Sequence, residues 1–235
     1  MKLTKGDNTT DMNLRPRNWM PGINRLFIAM VFPILFALPL SVLAAGDNVL
    51  EPDVAVTHEV QEVNAPGTSP VVSFLNELGS ITGLVAVSVA VAGTLYFAGR
   101  RRDAVFALIP VTAAQLANLT LKYMFSSPRP TTDLVTVTDP SRGFGFPSGH
   151  TMTTVVVAGS IAFLVLRGVD CRWRRALVMG TAAVVALGMG FSRIYVGAHW
   201  PSDVLGAYLW GIAFTALIIL AYQTNRLHPS SLFAR

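Results

Sequence analysis

Between Lys122 and Asp203, three short segments gather the side chains able to do chemistry. KYMFSSPRP, residues 122–130, carries Lys122 and Arg129 in the pattern K-x6-R-P. PSGH, residues 147–150, sets His150 behind Pro147, Ser148 and Gly149. SRIYVGAHWPSD, residues 192–203, fits S-R-x5-H-x3-D with Ser192, Arg193, His199 and Asp203. Lys122, Arg129 and Arg193 suit an oxyanion of about two charges, because ammonium and guanidinium groups both neutralise and hydrogen-bond its oxygens. His199 and Asp203 stand four apart, a spacing at which a carboxylate can orient an imidazole and stabilise its cation. Two histidines beside a bound phosphate can divide the labour, one attacking and one donating a proton. The same histidines with Asp203 could hold zinc, but three cations around them would repel it. No metal and no cofactor is expected.

The elements that must position these residues are membrane helices. Of 235 residues, 52% are hydrophobic and 13% are charged, against about 25% charged in typical soluble domains. The apolar residues are pooled in six blocks, Leu26–Ala45, Ile81–Ala98, Ala104–Leu121, Thr151–Leu166, Ala176–Phe191 and Val204–Tyr222. Each approaches the roughly 20 residues that cross a bilayer. With the N-terminus in the cytoplasm, six spans place fourteen of the eighteen Lys and Arg inside. That is the positive-inside pattern, so the basic pI of 9.8 reports topology and no nucleic-acid partner is expected. The outer cations are Lys122, Arg129, Arg142 and Arg193, and three of the four belong to the motifs. Every motif then falls at the outer end of a span. Pro147–Ser148 and Trp200–Pro201 would each open a helix whose N-terminal amides point outward, an anion site in its own right. Gly149 would let the backbone approach a ligand closely.

The chain divides into a cytoplasmic segment (1–25), a first span or cleaved signal peptide (26–45), an outer acidic linker with an interfacial helix (46–80), a catalytic membrane domain (81–222) and a cytoplasmic tail (223–235). For the first block a retained helix is favoured, because the apolar run exceeds a usual signal core. Ser69–Pro70 resembles a helix start, and Val71, Phe74, Leu75 and Leu78 form one apolar stripe. That stripe suits either the lipid interface or docking on the bundle. Gln115, Asn118 and Lys122 line one face of the third span, a pattern suited to a polar layer below the oxyanion site or to hydrogen bonds between helices; the second is favoured for all but Lys122. Phe144 and Phe146, with the Val71–Leu78 helix, are the expected lipid-tail contacts. His58 and His228 are expected to be solvated, Arg142 to meet a headgroup or loop, and Cys171 to be an ordinary loop thiol.

The three motifs resemble the signature of the type 2 phosphatidic acid phosphatase superfamily, over roughly Ile81–Tyr222, with order and spacing preserved. The resemblance implies an all-α integral membrane bundle and a lipid phosphatase. His199 would be the nucleophile and form a phosphohistidine. Asp203 would hold its other ring nitrogen, and His150 would act as acid and then base. Lys122, Arg129, Ser148, Gly149 and Arg193 would bind the phosphate. It further implies a bacterial inner-membrane enzyme with a periplasmic site, acting on a lipid such as undecaprenyl diphosphate. A phosphotransferase and a lipid-phosphate binding or transport protein remain as alternatives. The sequence does not set the oligomeric state.

Overall fold

The computed structural model describes residues 21–46, 49–63, 66 and 68–227. Lys2, Lys5, Arg15, Arg17, His228 and Arg235 lie outside the described residues. Among the described residues there are eight helices and no strand: α1 (Ile23–Ala44), α2 (Glu51–Gln61), α3 (Thr68–Gly79), α4 (Ile81–Phe97), α5 (Arg101–Phe125), α6 (Gly149–Leu166), α7 (Arg172–Tyr195) and α8 (Pro201–Leu227). Five of them, α1, α5, α6, α7 and α8, are long and apolar enough to cross a membrane. α3 and α4 make a sixth span if taken together, bent by 68° where they meet. The bend sits at Gly79–Ser80, where the Ser80 hydroxyl accepts the Gly83 N–H at 3.0 Å and so starts α4 afresh.

α6 is the central helix, packed on α5, α7 and α8, while α1 lies along α8. Small and short polar residues dominate its buried face, from Thr151 to Ser160, and let neighbours approach closely. At its far end Phe163 meets Phe106 and Tyr222 edge-on. There Asp103 of α5 accepts Arg100 Nε and an Arg167 guanidinium N–H, both at 2.7 Å, and the Tyr222 hydroxyl. One carboxylate thus ties α5, α6 and α8 together.

The region expected as a linker differs from that expectation. It contains α2, which has no apolar stripe and is held by polar contacts instead. Its Asp53 is buried and accepts both the backbone N–H and the hydroxyl of Ser202, at 2.8 and 2.6 Å. Gln61 donates to the Thr136 and Tyr195 carbonyls and accepts the Thr136 N–H. α3 begins at Thr68, slightly before the expected cap. The stripe divides: Val71 and Phe74 stay exposed and Leu75 lies against Gly188 of α7, while the buried docking residue, Val72, stands outside the stripe and packs with Val196 and Ala198.

Candidate active site

One end of the bundle collects the C-termini of α5 and α7, the N-termini of α6 and α8, and the loop 126–148. Each motif residue arrives there by a local necessity. α5 ends at Phe125 because Ser126 takes a left-handed conformation, φ 42°, which leaves Lys122 on its last turn. α6 begins at Gly149 with Ser148 as its N-cap residue, and His150 is its second residue. α7 runs through Ser192 and Arg193, then turns at Gly197, φ +68°, to deliver His199 just before Pro201 opens α8. α6 thus takes in Gly149 and His150, and α7 continues through Ser192 to Tyr195.

The geometry couples the motifs to one another. Asp203 Oδ2 lies 3.1 Å from His199 Nδ1 and also accepts the Trp200 N–H at 3.1 Å. An acceptor on that side means that Nδ1 carries the ring proton, which leaves a lone pair on Nε2. An Arg129 guanidinium N–H points at that lone pair from 3.2 Å and is shared with the Ala198 carbonyl at 2.8 Å. Ser148 N–H donates to the Asp203 carbonyl at 3.1 Å, so the second motif is tied to the third through the backbone. Lys122 donates to the Phe144 and Gly145 carbonyls at 2.5 and 2.9 Å, and Arg129 Nε to Gly143 at 2.9 Å. Both cations are thus aimed by backbone oxygens of a single loop.

His199 is fully enclosed, and burial pushes its pKa well below the ordinary histidine value. The charges of Arg129, Lys122, Arg193 and His150 act in the same direction. These groups therefore share one electrostatic field with the nucleophile candidate. Burial lowers the pKa of Arg129 too, opposed by Asp203, and the guanidinium remains a cation. Gly79 makes room for the Met189 side chain, which a Cβ there would overlap, and the His150 ring lies beside it at ordinary contact distance.

Several residues of the site carried no sequence signal. Asn76 of α3 accepts an Arg193 guanidinium N–H and the Ser192 hydroxyl, both at 3.0 Å. Asp139 accepts the same Arg193 nitrogen at 2.9 Å. Asn118 donates to the Pro147 carbonyl at 3.1 Å, so its interhelical bond is also a prop for PSGH. At Gly149 a Cβ would stand 3.1 Å from Asn118 Oδ1, so its smallness also serves α5–α6 packing. One expectation changes. Phe146 is fully buried, edge-on to Phe125 and closing over Gly206, and so offers nothing to a lipid tail. Its partner Phe144 is exposed and packs edge-on to Tyr123.

The family model for the PAP2 superfamily matches residues 103–227, just over half of the chain. The chain belongs to the PAP2 superfamily. It is 27% identical over 185 residues to phosphatidylglycerophosphatase B of Bacillus subtilis (strain 168), which covers 78% of this chain and 90% of that one. Over 82 residues it is 30% identical to an undecaprenyl-diphosphatase of Sulfolobus acidocaldarius, covering 35% of each. The crystal structure of a transmembrane PAP2-type phosphatidylglycerolphosphate phosphatase from Bacillus subtilis shares the fold. It matches with a TM-score of 0.74 at 24% identity, over 88% of this chain and 99% of that one. The PAP2 match begins at Asp103, so α2 and α3, with Asp53, Gln61 and Asn76, lie upstream of it.

Proposed function

We propose that this PAP2 protein hydrolyses a lipid phosphate or diphosphate through a phosphohistidine on His199, with no metal. The observation that carries this reading is the 3.1 Å contact between His199 Nδ1 and Asp203 Oδ2: the carboxylate accepts the Nδ1–H there, which leaves the lone pair on Nε2. Nε2 attacks phosphorus, the bond from phosphorus to the departing oxygen breaks, and His150 gives that oxygen a proton. His150 then takes a proton from water as the water attacks the phosphohistidine. The P–N bond breaks, its electron pair returns to Nε2, and inorganic phosphate leaves. Lys122, Arg129 and Arg193 offset the charge on the equatorial oxygens, with Ser148, Gly149 and the α6 N-terminus beside them.

Phosphatidylglycerol phosphate leads among substrates, because the relative aligned with most of the chain is named for it. Undecaprenyl diphosphate, the expectation from sequence, is the second reading and is supported by the Sulfolobus relative. The site faces the outer side of a bacterial plasma membrane, a reading that rests on the arginine-rich opposite end.

Phosphate release by the purified protein in detergent, with excess EDTA and a panel of lipid phosphates, tests the proposal. Release persists in EDTA and falls by about a thousandfold or more in both His199→Ala and His150→Ala. Release abolished by EDTA would overturn the metal-free mechanism, and transfer to an added lipid in preference to water would make the protein a phosphotransferase.

A further inference from the structure

At the end of the bundle opposite the catalytic residues, a cavity of about 400 Å³ is lined by Gly99, Arg100, Arg101, Arg102, Asp103 and Arg167. The lining holds four arginines and one carboxylate, an excess of three positive charges. Asp103 fixes two of them, Arg100 and Arg167. The Arg167 side chain is only 8% exposed, and its Nε–H is buried with no hydrogen-bond partner. Arg101 and Arg102 are exposed at the rim. Beside them, at the end of α4, are two aromatic rings: Tyr96, over which Arg101 lies 5.8 Å from the centroid, and Phe97, which is 89% exposed.

Arginines at a span end are accounted for by topology alone, which requires charge and nothing else. An open depression with Arg100 and Arg167 paired to one carboxylate at its base, and the exposed Phe97 ring nearby, is more than topology requires. A cationic recess at headgroup depth and an adjoining apolar surface together match an amphiphile with an anionic head. A free phosphate would use the recess and ignore the rings.

We propose that this cavity holds the anionic headgroup of a glycerophospholipid from the leaflet opposite the catalytic end. Arg101 and Arg102 close on the phosphate diester above the Arg100–Asp103–Arg167 floor, and an acyl chain lies along Tyr96 and Phe97. The site is separate from catalysis and does not depend on which lipid is hydrolysed.

Native mass spectrometry of the full-length protein released from phosphatidylcholine vesicles containing a minor fraction of phosphatidylglycerol tests this. The wild type retains phosphatidylglycerol in preference to phosphatidylcholine. R101Q/R102Q lowers that retained population roughly thirtyfold, the scale set by two guanidinium groups at a lipid surface. It also leaves phosphate release and the melting temperature unchanged. K122Q/R129Q, which empties the catalytic end of two cations, keeps the retained population. Loss in K122Q/R129Q together with retention in R101Q/R102Q would overturn the assignment by placing the lipid in the catalytic site. Equal retention in all three proteins would overturn it as well. Displacement by inorganic phosphate would mark a general oxyanion site and overturn the lipid assignment.

Discussion

At His199 two hydrogen bonds decide one lone pair, and a titration reads that decision. The ordinary histidine value is 6.5, and burial first, then Arg129, Lys122 and Arg193, lowers it here. A lowered value means that the imidazole stays neutral, and able to attack, as the pH falls through 6.5. The acid limb of kcat/KM therefore lies below the ordinary histidine range. Arg129→Gln removes the foremost of the neighbouring charges, so its limb moves up toward that range. Both profiles use one substrate, so the phosphate's own ionisation near pH ~6 cancels from the comparison. An unmoved limb would show that Arg129 does not act on the nucleophile. Gly145 gives a second prediction. A Cβ there would stand 2.9 Å from both Asp203 Oδ2 and the Pro128 carbonyl. Both atoms are held in place, so Gly145→Ala costs about 1–3 kcal/mol in overpacking and misplaces the carboxylate that orients His199. Thermal unfolding and phosphate release fall together; wild-type values for both would mean that the loop yields without disturbing Asp203.

Among the elements, α2 and α3 contribute most to the site relative to what their sequence announces. Through Asn76, α3 holds the same Arg193 guanidinium nitrogen that Asp139 accepts. A hydrogen bond to a charged group contributes about 1.5–3 kcal/mol. Asn76→Ala accordingly lowers kcat/KM by about tenfold or more, mostly through KM, because Arg193 meets the phosphate already in the ground state. Steady-state kinetics that showed an unchanged KM would remove α3 from the site. The motif residues were legible because each combines a rare residue type with fixed local spacing at a span end. Burial of Thr151, Ser192 and Arg193 follows from the same placement. Asn76 and Asp53 were not legible: their partners lie 117 and 149 residues away, and a lone polar residue in a short helix has no local pattern. α2 was missed because its acidic run carries no apolar periodicity, and its burial depends on Ser202 satisfying Asp53. Burial pushes the Asp53 pKa upward while the Ser202 hydroxyl and N–H pull it back, as expected of a carboxylate kept inside by two donors. Phe146 failed as a lipid contact for a related reason. Nothing local revealed that Gly206 of α8 opens a slot for its ring.

Across the whole molecule the two ends differ in kind, one gathering the proposed phosphate site and the other studded with arginine. The only cysteine, Cys171, caps the start of α7 at the arginine-rich end and is partly exposed. It is thus a built-in reporter of sidedness. A membrane-impermeant maleimide leaves it unlabelled in intact cells and labels it once the membrane is permeabilised; labelling in intact cells would reverse the proposed orientation. The hold that Asp53, Gln61 and Asn76 keep on Ser202, Tyr195 and Arg193 bears on how this protein can be recombined with its relatives. Every motif falls within the stretch matched to the superfamily, yet three fastenings of that stretch come from upstream. A graft of residues 103–227 onto a foreign N-terminal half would carry the whole reacting chemistry and leave its anchors behind. The heritable unit of activity is the pair of segments, and chimaeras that respect the joint between them are the ones that will work.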